Sequence, residues 1–180
     1  MNIFYLDKDP RLAAEYHCDK HVVKMILESA QLLSSAHRFV DGQMVMGKSK
    51  TGRNQKGWVL NDSRETVLYK AGWENHPSAI WARSNIDHYR YLYDLFTFLI
   101  IEYKFRYGKE HKCAELLEPL LDSPFNIDFE SPWQEPPQAM PEECRIKGDS
   151  VAAYRNYYVM HKSHFAKWTK RKVPDWYKVV

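Results

Sequence analysis

The chain has little cysteine, no long apolar run and no internal repeat, and each shortage excludes a class of protein. Three cysteines in 180 residues, Cys18, Cys113 and Cys144, are an odd and scattered set. They make neither a disulfide framework nor a CxxC pair, so a reducing cytoplasm is the expected setting. The opening MNIFYLDKDP has no basic segment followed by an apolar one, so it does not read as a secretory leader. The longest apolar run, Leu95 to Ile101, is far too short to span a bilayer. No low-complexity tract interrupts the chain. A soluble cytoplasmic protein with no membrane partner is expected.

What remains is one domain, residues 1–180, large enough to bury a real core. Its net charge is only +3, but the charge is unevenly spread. KSKTGRNQK, Lys48 to Lys56, carries four basic residues and no acid. Glu110 to Glu143 carries nine acids against Lys112. The tail from Ser163 sets Lys167, Lys170, Arg171, Lys172 and Lys178 against Asp175 alone. Such asymmetry suggests a positive face for a polyanion, and solvated surface is the plainer reading.

Hydrophobic spacing points to an all-α fold with two long central helices. MNIFYL is a small strand or an extended arm. Asp9-Pro10 starts a helix that runs to about Asp41, with a break near Cys18 and Asp19. Residues 42–57 read as a basic, glycine-containing loop. A short helix is expected over 62–70. Pro77 opens a long helix that Gly108 ends, with Ile80, Leu92, Leu95, Phe96, Leu99 and Ile100 as its apolar stripe. Another helix covers roughly 111–121. Residues 123–148 are a proline-rich connection, Asp149 or Ser150 caps a last helix, and 163–180 is an aromatic, basic tail.

The chemistry concentrates in AAEYHCDKHVVKM, Ala13 to Met25. His17 and His21 are four apart and share a helix face. With Cys18 and His76 they could bind a borderline metal, although the set lacks the glutamate of a zincin helix. Glu15, Asp19 and Glu28 are candidate carboxylates for proton transfer, while Asp19 could simply cap a helix. Asn75 and His76 stand before a helix start, where free N–H groups favour a phosphate, with Trp81 and Arg83 following. Here the plainer reading is that Asn75 caps the helix and Trp81 is core. In the tail, Trp168, Trp176 and Tyr177 alternate with Lys170 and Arg171, pairing phosphate contacts with flat rings for stacking.

Taken together these segments resemble the pyrimidine-dimer DNA glycosylase family of the T4 endonuclease V type. AAEYHCDKHVV is similar to its active-site helix, NHPSAIWARSNIDHYRYLYDLFTFLIIEYKFRYG to its histidine turn and long second helix, and PDWYK to its aromatic tail. CDKHVVKM and NHP also resemble a group of uncharacterised phage-encoded proteins. The resemblance implies a compact helical fold that grips duplex DNA and displaces a nucleotide. It implies a repair-type glycosylase or glycosylase/lyase, with no cofactor and no metal, whose N-terminal amine attacks the sugar C1′ and forms a Schiff base. Asn2 is too bulky for removal of Met1, so the amine is that of Met1. A free α-amine has a pKa of about 8, leaving a useful neutral fraction. The family's glutamate falls at Cys18, which cannot stabilise a cation, so the carboxylate role passes to the adjacent Asp19. His17 and His21 take the family's basic positions as phosphate contacts or proton carriers. Lys20, Lys24, Asn75, His76, Trp81, Arg83, Lys170, Arg171 and Trp176 are assigned to nucleic-acid binding. Two other functions stay open: a phage protein that binds nucleic acid without chemistry, and a His/Cys metal-dependent enzyme modifying a nucleotide or base. No oligomeric state follows from the sequence.

Overall fold

The computed structural model describes residues 1–49 and 51–178. Six α-helices appear among them: α1 (Pro10–Tyr16), α2 (Asp19–Asp41), α3 (Arg64–Val67), α4 (Pro77–Ser84), α5 (Ile86–Tyr107) and α6 (Ser150–His161). Two strands, β1 (Gln43–Lys48) and β2 (Asn54–Val59), pair antiparallel with Gln43 opposite Val59 and Lys48 opposite Asn54. The all-α expectation is therefore corrected to a mostly helical fold that carries a two-stranded sheet.

That sheet occupies the segment expected to be a loop. Of its glycines only Gly52, at the tip, has a positive φ, 80°. Ser49 N–H donates to Arg53 O at 2.8 Å to close the turn. The remaining glycines sit in ordinary backbone and do not interrupt the ladder, while Val45, Trp58 and Val59 suit strands. Lys50, part of the basic run, lies outside the described residues, as do Val179 and Val180 of the tail.

The expected break in the first helix is present. Asp9 caps α1 by accepting from Arg11 and Leu12, and Pro10 opens it. His17 and Cys18 are extended, and α2 then begins at Asp19. The tail fills this break. Asp19 N–H donates to Lys167 O at 2.8 Å, and Trp168 Nε1 donates to Tyr16 O at 2.8 Å. Backbone groups orphaned by the two helix ends thus find partners in the C-terminal tail.

The second long helix is cut as well. Asn85 is extended and accepts from His88 N–H, so it ends α4 and caps α5. Its amide also donates to the carbonyls of Ser131 and Pro132. The helix expected over 62–70 shrinks to α3, and that over 111–121 to a 3-10 turn, Lys112–Leu116. α2 and α5 pack against each other at the centre, joined by His37 Nε2 and the Tyr89 hydroxyl at 2.8 Å. Ile3 to Leu6 are buried against this core as an extended arm. Ile80, expected in the stripe, is exposed. No helix among the described residues is long and apolar enough to cross a membrane.

Candidate functional site

The buried arm places the chain's first residues over the middle of α2. Asn2 makes this turn locally: its Oδ1 accepts from Ile3 N–H at 2.8 Å and Phe4 N–H at 3.3 Å. Phe4 sits at φ 53° and packs on His21, ring centroids 4.3 Å apart. Asn2 N–H then donates to Glu28 Oε2 at 2.8 Å, and the Met1 amine lies 3.8 Å from the same oxygen. Lys24, one turn earlier, reaches the other carboxylate oxygen at 3.2 Å.

Glu28 stands among the buried residues Met25, Ser29 and Leu32 of α2. A carboxylate in that position needs positive partners, and two cations and a backbone N–H supply them. His76 lies within electrostatic reach of the same groups. Its pKa is pushed below the ordinary value, first by burial, then by the Met1 ammonium, with Glu28 opposing. His76, not Asn75, caps α4, since its Nδ1 accepts from Ser78 N–H at 3.1 Å. Asn75 is exposed beside it. The turn before His76 lies along α2, where Gly72 N–H donates to Ser35 Oγ at 3.2 Å. Trp73, at φ 56°, is half exposed in that turn.

Asp19 belongs to a different cluster. Its Oδ1 accepts from Arg106 Nη1 and Thr169 N–H, both at 2.9 Å, and its Oδ2 accepts from the Thr169 hydroxyl at 2.7 Å. Arg106 also donates to Glu102 at 2.6 Å, and Glu102 accepts from Arg171 at 2.8 Å. Arg171 in turn stands 3.5 Å from Glu15. These charges hold the tail onto α2 and α5. His17 and His21 are buried. His17 Nδ1 donates to Ala13 O at 2.6 Å, and His21 Nδ1 pairs with the Tyr158 hydroxyl at 2.6 Å. Burial pushes their pKa values down to about 4 and about 3, so both are neutral and neither is presented to a phosphate.

Several residues assigned to nucleic acid make contacts within the fold. Trp81 is buried, stacks on His88 at 4.5 Å and donates its indole N–H to Gln134 O. Arg83 donates to Glu74 O at 2.7 Å and lies over the Phe39 ring at 4.6 Å. Trp176 packs edge-on against Tyr16 and Tyr158. Arg171 is engaged with Glu102. Lys20 lies over Phe165, and Lys170 donates to Phe105 O, while both stay exposed. The four metal candidates His17, Cys18, His21 and His76 do not converge. Among the described residues the donor group that does is Glu143, Cys144 and His161, with atoms within 4.8 Å of one another.

The site that forms is thus Met1, Lys24, Glu28 and His76. Glu28 was one of three candidate carboxylates in the sequence. Its distinguishing signal is an acid set inside the apolar side of an amphipathic helix. No family model, curated protein or solved structure matches the chain.

Proposed function

We propose that the protein is a DNA-binding enzyme acting on a base in duplex DNA, a glycosylase/lyase whose nucleophile is the Met1 amine and whose carboxylate is Glu28. The observation that carries this reading is the amine held 3.8 Å from Glu28 by a buried N-terminal arm.

In this reading Glu28 accepts a proton from the Met1 ammonium, leaving a neutral amine. The amine nitrogen forms a bond to the sugar C1′ as the C1′–base bond breaks, and Glu28 returns its proton to the departing base and is a carboxylate again. The carboxylate stabilises positive charge developing at C1′. One N–H proton of the adduct passes to Glu28, the nitrogen lone pair forms the C1′=N bond as the C1′–O4′ bond breaks, and O4′ takes that proton, which gives the protonated imine. Removal of a C2′ proton then expels the 3′-phosphate. With Nδ1 engaged by Ser78, His76 Nε2 is the atom that can carry a proton at the site. Asp19, Arg106 and Glu102 take no part in bond making and serve to hold the tail.

Reductive trapping tests the proposal. The protein is incubated with duplex DNA containing an abasic site, and borohydride is added. A covalent complex is expected with the native N-terminus and none after selective acetylation of the Met1 amine. Equal trapping by the acetylated protein would refute it.

A further inference from the structure

We propose that the β1–β2 hairpin is an arm that enters the major groove of the duplex about half a helical turn from the nucleotide held at Met1 and Glu28. This inference rests on the DNA reading above.

The hairpin is poorly covered by the rest of the protein. All six residues of β1 are exposed, including Met44, Val45 and Met46, and so are Asn54 to Lys56 of β2. A lone two-stranded ribbon is marginally stable in water, so exposed apolar strands of this length call for a partner. Its charge selects the partner. Gly42 to Asn61 holds four basic residues and no acid. Lys48, Arg53 and Lys56 among them are described and exposed. A polyanion complements such a surface.

The shape fits duplex DNA. The B-DNA major groove is about 12 Å wide and admits a two-stranded ribbon. By register, Met44, Met46 and Lys48 share one face with Asn54, Lys56 and Trp58. Lys48 Nζ donates to Asn54 Oδ1 at 2.6 Å, so a basic and an amide side chain stand together near the tip. Lysine and asparagine are suited to base edges and phosphates. The other face carries Gly47 and Gly57. Neither is required by a positive φ, and a Cβ on either would meet nothing closer than 3.7 Å. Two glycines that the fold does not demand keep the ribbon thin, as close approach to another molecule requires.

The position of the root sets the spacing. Trp58 packs edge-on against Phe39 of α2, centroids 4.7 Å apart. Phe39 lies eleven residues after Glu28 on the same helix. Eleven residues are close to three turns, so the two share a face about 16 Å apart along the axis. Half a turn of B-DNA is about 17 Å. Arg83, which covers Phe39 and donates to Glu74, links this root to the turn that carries His76. The launch angle is held by Gly42, where a Cβ would stand 2.4 Å from Arg38 O. Buried Arg38 donates to Trp58 O at 3.1 Å and fixes the start of the ribbon.

The test compares the full-length protein with the triple variant Lys48→Gln, Arg53→Gln, Lys56→Gln. All three positions are exposed and lie outside the reacting site. Binding to a 30-base-pair duplex with a central tetrahydrofuran abasic analogue is titrated across salt concentrations. The slope of log affinity against log salt is expected to fall by about 3 in the variant. Trapping at saturating abasic DNA is expected to remain within twofold. An unchanged slope with binding intact would overturn the inference and leave the DNA reading standing. Binding by neither protein would overturn both. A salt-insensitive dimer of the free protein, dispersed by Met44→Lys with Met46→Lys, would assign the ribbon to a second copy of the chain and overturn the inference as well.

Discussion

Replacing Asp19 by asparagine separates a catalytic carboxylate from one that holds the fold. Asp19 accepts two bonds on Oδ1, from Arg106 and Thr169 N–H, and one on Oδ2 from the Thr169 hydroxyl. An asparagine carbonyl can keep the first two, and its amide can donate to the hydroxyl. The geometry survives and the charge is lost. A hydrogen bond to a charged group contributes about 1.5–3 kcal/mol and a neutral one about 0.5–1.5, so the two bonds with Thr169 should lose about 2 kcal/mol together, while the bond from charged Arg106 persists. Asp19 also opens α2, and an acid there contributes about 0.5 kcal/mol through the helix dipole. The expected loss is about 2–3 kcal/mol, a shift in Tm of roughly 5–10 °C for a chain of this size. That leaves the variant folded, because domains carry about 5–15 kcal/mol. Urea unfolding reads the first number, and borohydride trapping on abasic duplex at 15 °C reads the second. A lower midpoint with a trapping rate within twofold of the native protein is expected. An unchanged midpoint with a rate down a hundredfold would refute the structural role and return Asp19 to the chemistry.

His17, His21 and His37 are buried with pKa values held down at about 4, about 3 and about 4, in each case chiefly by burial. The unfolded chain binds protons first, so their contribution is complete above pH 6.5 and is lost as pH falls from there toward 4. Each removes up to about 2 kcal/mol by pH 5. Urea midpoints at pH 7.5, 6.5 and 5.5 should fall in that order, and a flat series would show that these rings are not neutral in the fold. Arg38 is fully buried and makes five hydrogen bonds, to Tyr69 O, Trp58 O, Leu68 O and two oxygens of Glu65. Arg38→Lys cannot reproduce that fork and should cost about 3–5 kcal/mol, measured by chemical unfolding, whereas a loss under 1 kcal/mol would contradict the clamp.

Local signals were legible where local bonds satisfy them. Asp9-Pro10 starts a helix through its own side chain, Gly108 ends α5 at φ 65°, and Asp149 caps α6 by accepting from Ala152. The hairpin was not legible. Its strands are held by each other and by a root on Phe39 and Arg38, and its glycines resemble loop punctuation when the partner strand is unseen. The surroundings of Asp19 and Glu28 were equally remote from local sequence. Arg106 and Thr169 claim Asp19 from 87 and 150 residues away. Glu28 gains its meaning from Met1 and Asn2, brought over α2 by a buried arm. Trp81 and Trp176 carry the composition of a stacking surface, yet Gln134 and Tyr16 occupy them in the fold.

The most direct measurement is the site of the borohydride adduct. Protein trapped on an abasic duplex is digested and sequenced by mass spectrometry. Modification is expected on the α-amine of Met1, with yield falling at least a hundredfold in Glu28→Gln. An adduct on Lys24 or another lysine side chain, or no adduct under conditions where the duplex is bound, would contradict an N-terminal amine paired with Glu28.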